Sequence, residues 1–358
     1  LVCVTCTDLS ILCGNEAHAT FRKYGSLPIH DKIMHEHAIR MILYRMLEKN
    51  DYRSILIDTP KFNSLILFPF TLFKVLILTI NSLKILKKEK ISYLISTGGY
   101  MSLPLCLAAK ILNIKIFLIE PNMVLGRANK FFLNFSKKLI CYSINLKNYP
   151  KKFENQKKIS KPFIRKKYYE ANLYKKDVNL FTIMIIGGSQ GAKIFDTLIN
   201  ESILNISKSC LINVIHQTSE KNINYLKNFY KINNIESNVF SFDQNLNELM
   251  KQSDLCISRS GASSLAEMSL MNVPFIAIPL PSSKDNHQYE NAKYYYDKDC
   301  CWIIDQKKFD KKKFEELLLK ILKKDKDYVT KKENLKKLNY QNTWNNVNQN
   351  LLGILNEN

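Results

Sequence analysis

An α/β fold with two parallel-sheet domains is what this sequence predicts, and three observations carry the prediction. Short runs rich in Ile, Val and Phe alternate with longer amphipathic runs along most of the chain, the pattern of βα units whose sheet is covered on both faces. Glycine turns directly follow apolar runs at two places, "ISTGGY" (95–100) and "MIIGGSQGAKIF" (184–195). A length of 358 residues, 46% of them hydrophobic, is long for one core and ample for two.

The first 45 residues are atypical: four of the six histidines, His18, His30, His35 and His37, precede Arg40. From Phe62 to Leu86 an apolar run is broken by Pro69, Lys74, Asn81 and Ser82. It falls short of the roughly 18 uninterrupted apolar residues of a membrane span and reads as an amphipathic helix, with "KKEK" (87–90) at its end. An ordinary buried helix is the competing reading. Residues 91–122 read as strand, glycine turn, helix and second strand, a βαβ unit. Thr97, Tyr100, Glu120 and Asn122 follow the carboxyl ends of its strands, where open α/β sheets bind ligands.

A Lys-rich, weakly patterned stretch, 151–176, reads as the linker between a first domain over 1–150 and a second over 177–358. The second domain alternates again. Strands are expected at 180–186, 210–219, 238–242, 255–258 and 275–280, with helices from Ala192, up to Tyr230, over 246–253, from Ser263 and from His287. The tail from Lys311 is helical with lysine-rich faces.

Composition narrows the function classes. The net charge of +21 invites a nucleic-acid reading, but the lysines are spread along the chain and arginine, the better fork for phosphates and bases, is scarce. No nucleic-acid partner is expected; an anionic membrane surface suits the charge better. The nine cysteines show no paired CxxC spacing, so neither zinc nor a disulfide framework is indicated and a reducing cytoplasm is the expected compartment. Asp297 and Asp325 each open an Asp-Lys-Asp triplet among lysines, unlike a metal-binding pair at a strand end.

Two segments carry chemistry. In "MIIGGSQGAKIF" a strand, a glycine turn and a helix start point backbone N–H groups at an anion, although the spacing is neither a dinucleotide fingerprint nor a Walker A loop. In "SRSGASSLAEMSLMNVPFIAIPLPSSKDNHQYENA" (258–292), Ser260, Gly261 and Ser263 crowd a helix start. Glu267, one turn into that helix, can accept both hydroxyls of a ribose, its alternative role being dipole compensation. His287, Gln288 and Asn291 open a further helix and suit sugar hydroxyls.

These two segments, together with "ISTGGYMSLPLCLAAKILNIKIFLIEPN" and "VIHQTS", occur in an order and at separations that resemble the MurG family of bacterial cell-wall glycosyltransferases, over about residue 51 to the end. The resemblance implies a GT-B type fold, two Rossmann-like domains with parallel sheets facing a central cleft, the final helices packing back on the first domain. It implies inverting transfer of N-acetylglucosamine (GlcNAc) from UDP-GlcNAc to the C4 hydroxyl of the N-acetylmuramoyl unit of lipid I, giving lipid II. On the donor side it implies Gly188, Ser189, Gln190 and Gly191 for the diphosphate turn. Arg165 would neutralise the diphosphate, Ser263 and Glu267 would hold the nucleotide with Glu267 on the ribose, and His287 and Gln288 would read the sugar, with Asn122 in the cleft. On the acceptor side it implies Thr97, Gly98, Gly99, Tyr100 and Glu120. Lys161 and Pro121 depart from the usual Asn and Gln.

No cofactor and no obligatory metal are expected, because Arg165 and a helix start can meet the charge on leaving UDP. The partners implied are UDP-GlcNAc, undecaprenyl-linked lipid I, the cytoplasmic membrane face through residues 62–90, and cell-wall synthesis proteins. The family's amino-terminal glycine loop is not found; "CGNEAH" (13–18) keeps one glycine and His18, the candidate general base. Competing readings are a related glycosyltransferase acting on diacylglycerol, a member that binds donor but transfers poorly, and a basic nucleic-acid-binding protein with salt-dependent affinity.

Overall fold

The computed structural model describes residues 68–170, 180–187, 193–243 and 245–357, together with residues 57 and 59 and the backbone of 2–5. The described residues fall into two compact units. One runs through Phe163 and takes in the chain again from Val347, and the other is Ile164–Asn346.

The first unit is built on a parallel sheet in the order β1 (Val2–Thr5), β2 (Tyr93–Ser96), β3 (Lys115–Glu120), β4 (Lys138–Cys141), β5 (Lys157–Ile159). Its helices are α1 (Phe68–Lys88), α2 (Leu103–Ile111) and α3 (Arg127–Phe132). Leu94, Ile116, Leu118 and Leu139 bury one face of the sheet with Leu86 of α1, Cys106, Ala108 and Ala109 of α2, and Phe132 of α3. Alternate residues Ile95, Phe117, Ile119 and Ile140 bury the other face with Ile354 and Leu355 of the last helix, α12 (Trp344–Asn356; helices α4–α11 lie in the second unit). Glu357 fastens that helix end: its carbonyl accepts from Lys137 Nζ at 2.7 Å and its carboxylate from Lys158 Nζ at 2.8 Å.

Residues 151–163 are not a linker. Lys157–Ile159 pairs with Leu139–Cys141 as the sheet's edge, and a lysine-rich sequence, which reads as a solvated connection, is also what an edge strand needs to discourage further pairing.

Helix α1 presents its apolar face outward. Thr71, Val75, Thr79, Ser82 and Leu86 form the buried stripe, while Phe70, Phe73 and Leu76 are 68%, 60% and 56% exposed beside Leu72, Ile77 and Ile80. The buried hydroxyls are tolerated because the helix satisfies them itself, Thr79 Oγ1 donating to the Val75 carbonyl at 2.8 Å and Ser82 Oγ to that of Leu78 at 2.7 Å.

The second unit holds a six-stranded parallel sheet in the order β11 (Cys301–Ile303), β10 (Phe275–Ala277), β9 (Leu255–Ser258), β6 (Phe181–Ile186), β7 (Ile212–Gln217), β8 (Glu236–Phe240). Its helices are α4 (Lys166–Glu170), α5 (Asn200–Ser207), α6 (Ile223–Ile232), α7 (Leu246–Lys251), α8 (Ala262–Leu270), α9 (His287–Tyr296), α10 (Lys311–Leu322) and α11 (Lys326–Leu338). Strand β6 is buried throughout, Ile183 and Ile185 feeding one core and Met184 and Ile186 the other. That is why it reads as a continuous apolar run. The order is the doubly wound one, and its reversal lies between β6 and β9, where Ile186 pairs with Ser258. The expected strands at 238–242 and 275–280 are shifted or shorter, and β4, β5 and β11 were not anticipated. Among the described residues six cysteines are free, and burial pushes the Cys300 thiol up to about 11.

Candidate donor site at the switch point

Open α/β sheets bind ligands beyond the carboxyl ends of the strands that flank the reversal. Here those ends are Ile186 of β6, which Gly187 follows, and Ser258 of β9, entering "SRSGASS". Gly188, Ser189, Gln190 and Gly191 lie outside the described residues, as does His18.

The turn after β9 is fixed from several directions. Gln288 Oε1, from the first turn of α9, accepts from the backbone N–H of Leu280 at 2.9 Å and of Ser260 at 3.3 Å. Asn291 Nδ2, one turn on, donates to the Ser260 carbonyl at 3.1 Å. Arg259 Nη1 donates to the carbonyls of Ile278 and Pro279 at 3.1 and 3.4 Å, tying the turn to the exit of β10. Ser260 is fully buried, and its hydroxyl has no hydrogen-bond partner among the described residues. Such an orphan is uncommon in a folded core and marks a place where a polar guest can be met. Gly261, at the N-cap of α8, offers no side chain to the helix's first N–H groups, a setting in which an anion is readily held.

Glu267 sits in the middle of α8, 8% exposed, and its Oε1 accepts from Arg165 Nη2 at 3.0 Å. The same Nη2 donates to the Tyr168 hydroxyl at 2.8 Å, and the guanidinium lies 4.9 Å from the centre of the Tyr168 ring. Burial raises the Glu267 carboxyl above its ordinary range, opposed by the Arg165 guanidinium and the Tyr168 hydroxyl. Arg165 Nε is buried with no partner among the described residues. The sequence thus placed Arg165 and Glu267 at one ligand, and the structure brings them onto each other. Tyr168, which holds both, was not anticipated; nothing in "IRKKYY" distinguishes it.

Ser263 lies half-buried in the first turn of α8. His287 Nδ1 is 2.7 Å from the Lys284 carbonyl; a carbonyl only accepts, so Nδ1 donates to it. The two Asp-Lys-Asp triplets have structural work. Asp297 pairs with Lys293, Asp299 and Asp327 with Lys331, and Asp325 caps α11.

The acceptor-side residues belong to the first unit. Gly98 and Gly99 have φ of +81° and +78°, and a Cβ on Gly98 would stand 2.7 Å from Asn129 Oδ1, so glycine is required there. Ser96 Oγ accepts from the Gly98 N–H at 3.1 Å, Thr97 precedes the turn, and Tyr100 opens the short 3₁₀ turn that leads into α2. Glu120 is a brace. Its Oε2 accepts from Gly126 N at 2.8 Å and Asn129 Nδ2 at 2.9 Å, and its Oε1 from the N and Nδ2 of Asn122, both at 3.2 Å. Those four bonds use the four lone-pair positions a carboxylate offers, so Glu120 locks the loop between β3 and α3, with Asn122 part of the lock.

Known proteins resemble this chain over most of its length. Residues 182–346 match the glycosyltransferase family 28 C-terminal domain and residues 38–141 the glycosyltransferase family 28 N-terminal domain. Residues 1–66 match the N2,N2-dimethylguanosine tRNA methyltransferase family, overlapping the latter. The UDP-N-acetylglucosamine–N-acetylmuramyl-(pentapeptide) pyrophosphoryl-undecaprenol N-acetylglucosamine transferase of Pelagibacter ubique is 43% identical over 315 residues, 88% of each chain. Its namesake from Rickettsia bellii is 34% identical over 263 residues, 72% of this chain and 74% of that one. The crystal structure of Acinetobacter baumannii MurG superposes with a TM-score of 0.69 at 20% identity, covering 99% of this chain and 97% of that one, and shares the GT-B fold. By its relatives and its domains, the chain belongs to the MurG family of glycosyltransferases.

Proposed function

We infer that this chain transfers GlcNAc from UDP-GlcNAc to lipid I, giving lipid II, the reaction after which its relatives are named. The observation that carries the reading is the buried Glu267 carboxylate, paired with Arg165 beside the switch point of the doubly wound sheet. Among the described residues Arg165 and Tyr168 take two of its lone-pair positions, which leaves two, the number a ribose diol needs.

Chemically, the acceptor C4 hydroxyl attacks the anomeric carbon as UDP departs from the opposite face, inverting that centre. The hydroxyl proton passes to a general base. The negative charge that grows on the departing diphosphate is met by Arg165 and the first N–H groups of α8, both preorganised. That charge supply makes a divalent metal dispensable, and full activity in EDTA is the expected result.

The lipid acceptor requires a membrane, and α1 supports docking at an anionic surface. Its outward face carries Phe70, Leu72, Phe73, Leu76, Ile77 and Ile80, with Lys74, Lys84, Lys87 and Lys88 on the same helix. The helix is long and apolar enough to cross a membrane by length and composition, yet one stripe of it is packed into the first unit, which favours lying on the surface. The experiment is competition between a short-chain lipid I analogue and diacylglycerol for labelled GlcNAc; label entering diacylglycerol instead would overturn the acceptor assignment.

A further inference from the structure

The segment "VIHQTS" (214–219) contributes nothing to the site described above, yet it carries a buried polar chain. His216, fully buried on β7, stands beside Ile185 of β6 and Val239 of β8. Its Nδ1 is 2.8 Å from the hydroxyl of Tyr230, itself fully buried on α6, and its Nε2 is 3.3 Å from Asp196 Oδ1. The Nε2–Oδ1 approach is at ion-pair distance but lacks hydrogen-bond alignment, so the ring stands against the carboxylate as a close polar contact. Asp196 Oδ2 accepts in addition from Thr218 Oγ1 at 2.8 Å and from Asn222 Nδ2 at 2.6 Å. Such a cluster of polar side chains around one carboxylate restrains whatever it holds.

What it holds is the helical turn that follows the glycine segment. Asp196 lies in a π-helical turn, Phe195–Ile199, and such irregular turns recur at functional sites. Its neighbour Phe195, fully buried, lies 5.3 Å from the Arg259 guanidinium. Arg259 ties the Ser258–Gly261 turn to the exit of β10. The polar chain therefore runs from Tyr230 through His216 and Asp196 to a turn in contact with the donor loop.

We propose that His216 is a positioning residue for donor binding: through Asp196 it sets the helical turn 193–199 against Arg259, and with it the Ser258–Gly261 turn. The inference rests on the donor-site reading above.

The two ring nitrogens can be tested separately. The amide nitrogen of a glutamine reaches where Nε2 stands, whereas an asparagine ends where Nδ1 stands. In the full chain, His216→Asn should raise the KM for UDP-GlcNAc about tenfold by removing the ring nitrogen that stands against the Asp196 carboxylate, with kcat within about twofold. His216→Gln should stay within about threefold of the parent KM, Asp196→Asn should reproduce the His216→Asn shift, and Tyr230→Phe should lower Tm while leaving KM in place. Equal KM changes in His216→Asn and His216→Gln, or lower Tm values with no change in KM, would make the histidine purely structural and overturn the proposal. Absence of UDP-GlcNAc binding by the unaltered, folded chain would instead overturn the donor site and this inference with it.

Discussion

Replacing Glu267 by glutamine separates two things its carboxylate does. It is the counter-charge of a buried guanidinium at 3.0 Å, and it is the acceptor assigned to the ribose. A hydrogen bond to a charged group is worth about 1.5–3 kcal/mol. With both side chains largely buried, 16% and 10% exposed for Arg165 and Glu267, solvent screens the pair little. The loss should appear as a Tm lower by roughly 3–12 °C, at about 2–4 °C per kcal/mol for a domain of this size. For the ligand, replacing the charged acceptor should weaken UDP about 10–150-fold. Calorimetric titration of parent and variant with UDP and with 2′-deoxy-UDP distinguishes the two effects. The parent should favour UDP, and Glu267→Gln should lose most of that preference. A folded Glu267→Gln variant that still discriminates against 2′-deoxy-UDP as the parent does would refute the ribose assignment, whatever its Tm.

Gly98→Ala forces a Cβ to within 2.7 Å of Asn129 Oδ1 at a positive φ; the first unit should lose about 1–3 kcal/mol of stability, measured by urea unfolding, because the clash also disturbs the Asn129–Glu120 bond. Exchanging Phe70, Phe73 and Leu76 for serine together should leave Tm nearly unchanged, since all three are exposed, and should weaken sedimentation with anionic vesicles at least about tenfold. Burial alone would raise the Asp196 carboxyl, but the close His216 ring and hydrogen bonds from Asn222 and Thr218 outweigh it and hold it below its ordinary range. Its stabilising contribution is therefore present above the unfolded value of about 3.9 and lost as pH falls through the folded one. Denaturant midpoints at pH 5 and pH 3 should differ less in Asp196→Asn than in the parent.

Much of the second unit was legible because its strands are buried on both faces and bounded by polar turns. "LCIS" is strand β9 residue for residue, and "LFTIMII" contains β6. Strands β5 and β11, three residues each, carry too little pattern of their own to register, and lysines at 157 and 158 suggested a connection where they protect an edge. In α1 the amphipathic pattern was readable but not its direction, because Thr79 and Ser82 can be buried once their hydroxyls bond back to their own helix. Arg165 and Glu267 could be named from local motifs. Tyr168 beside them, and the Tyr230–His216–Asp196 chain, depend on contacts between segments far apart in sequence, which no local pattern encodes. Glu120 shows the opposite case: a carboxylate at a strand end looked available, and only the geometry reveals four donors around it.

The most direct test of the assigned function is a single sample of this chain given UDP-GlcNAc labelled in the sugar and a short-chain lipid I analogue, with donor binding measured on the same preparation. Saturable donor binding and turnover to a β-linked disaccharide lipid are the predicted result. A folded chain that neither binds the donor nor transfers the label would contradict the assignment.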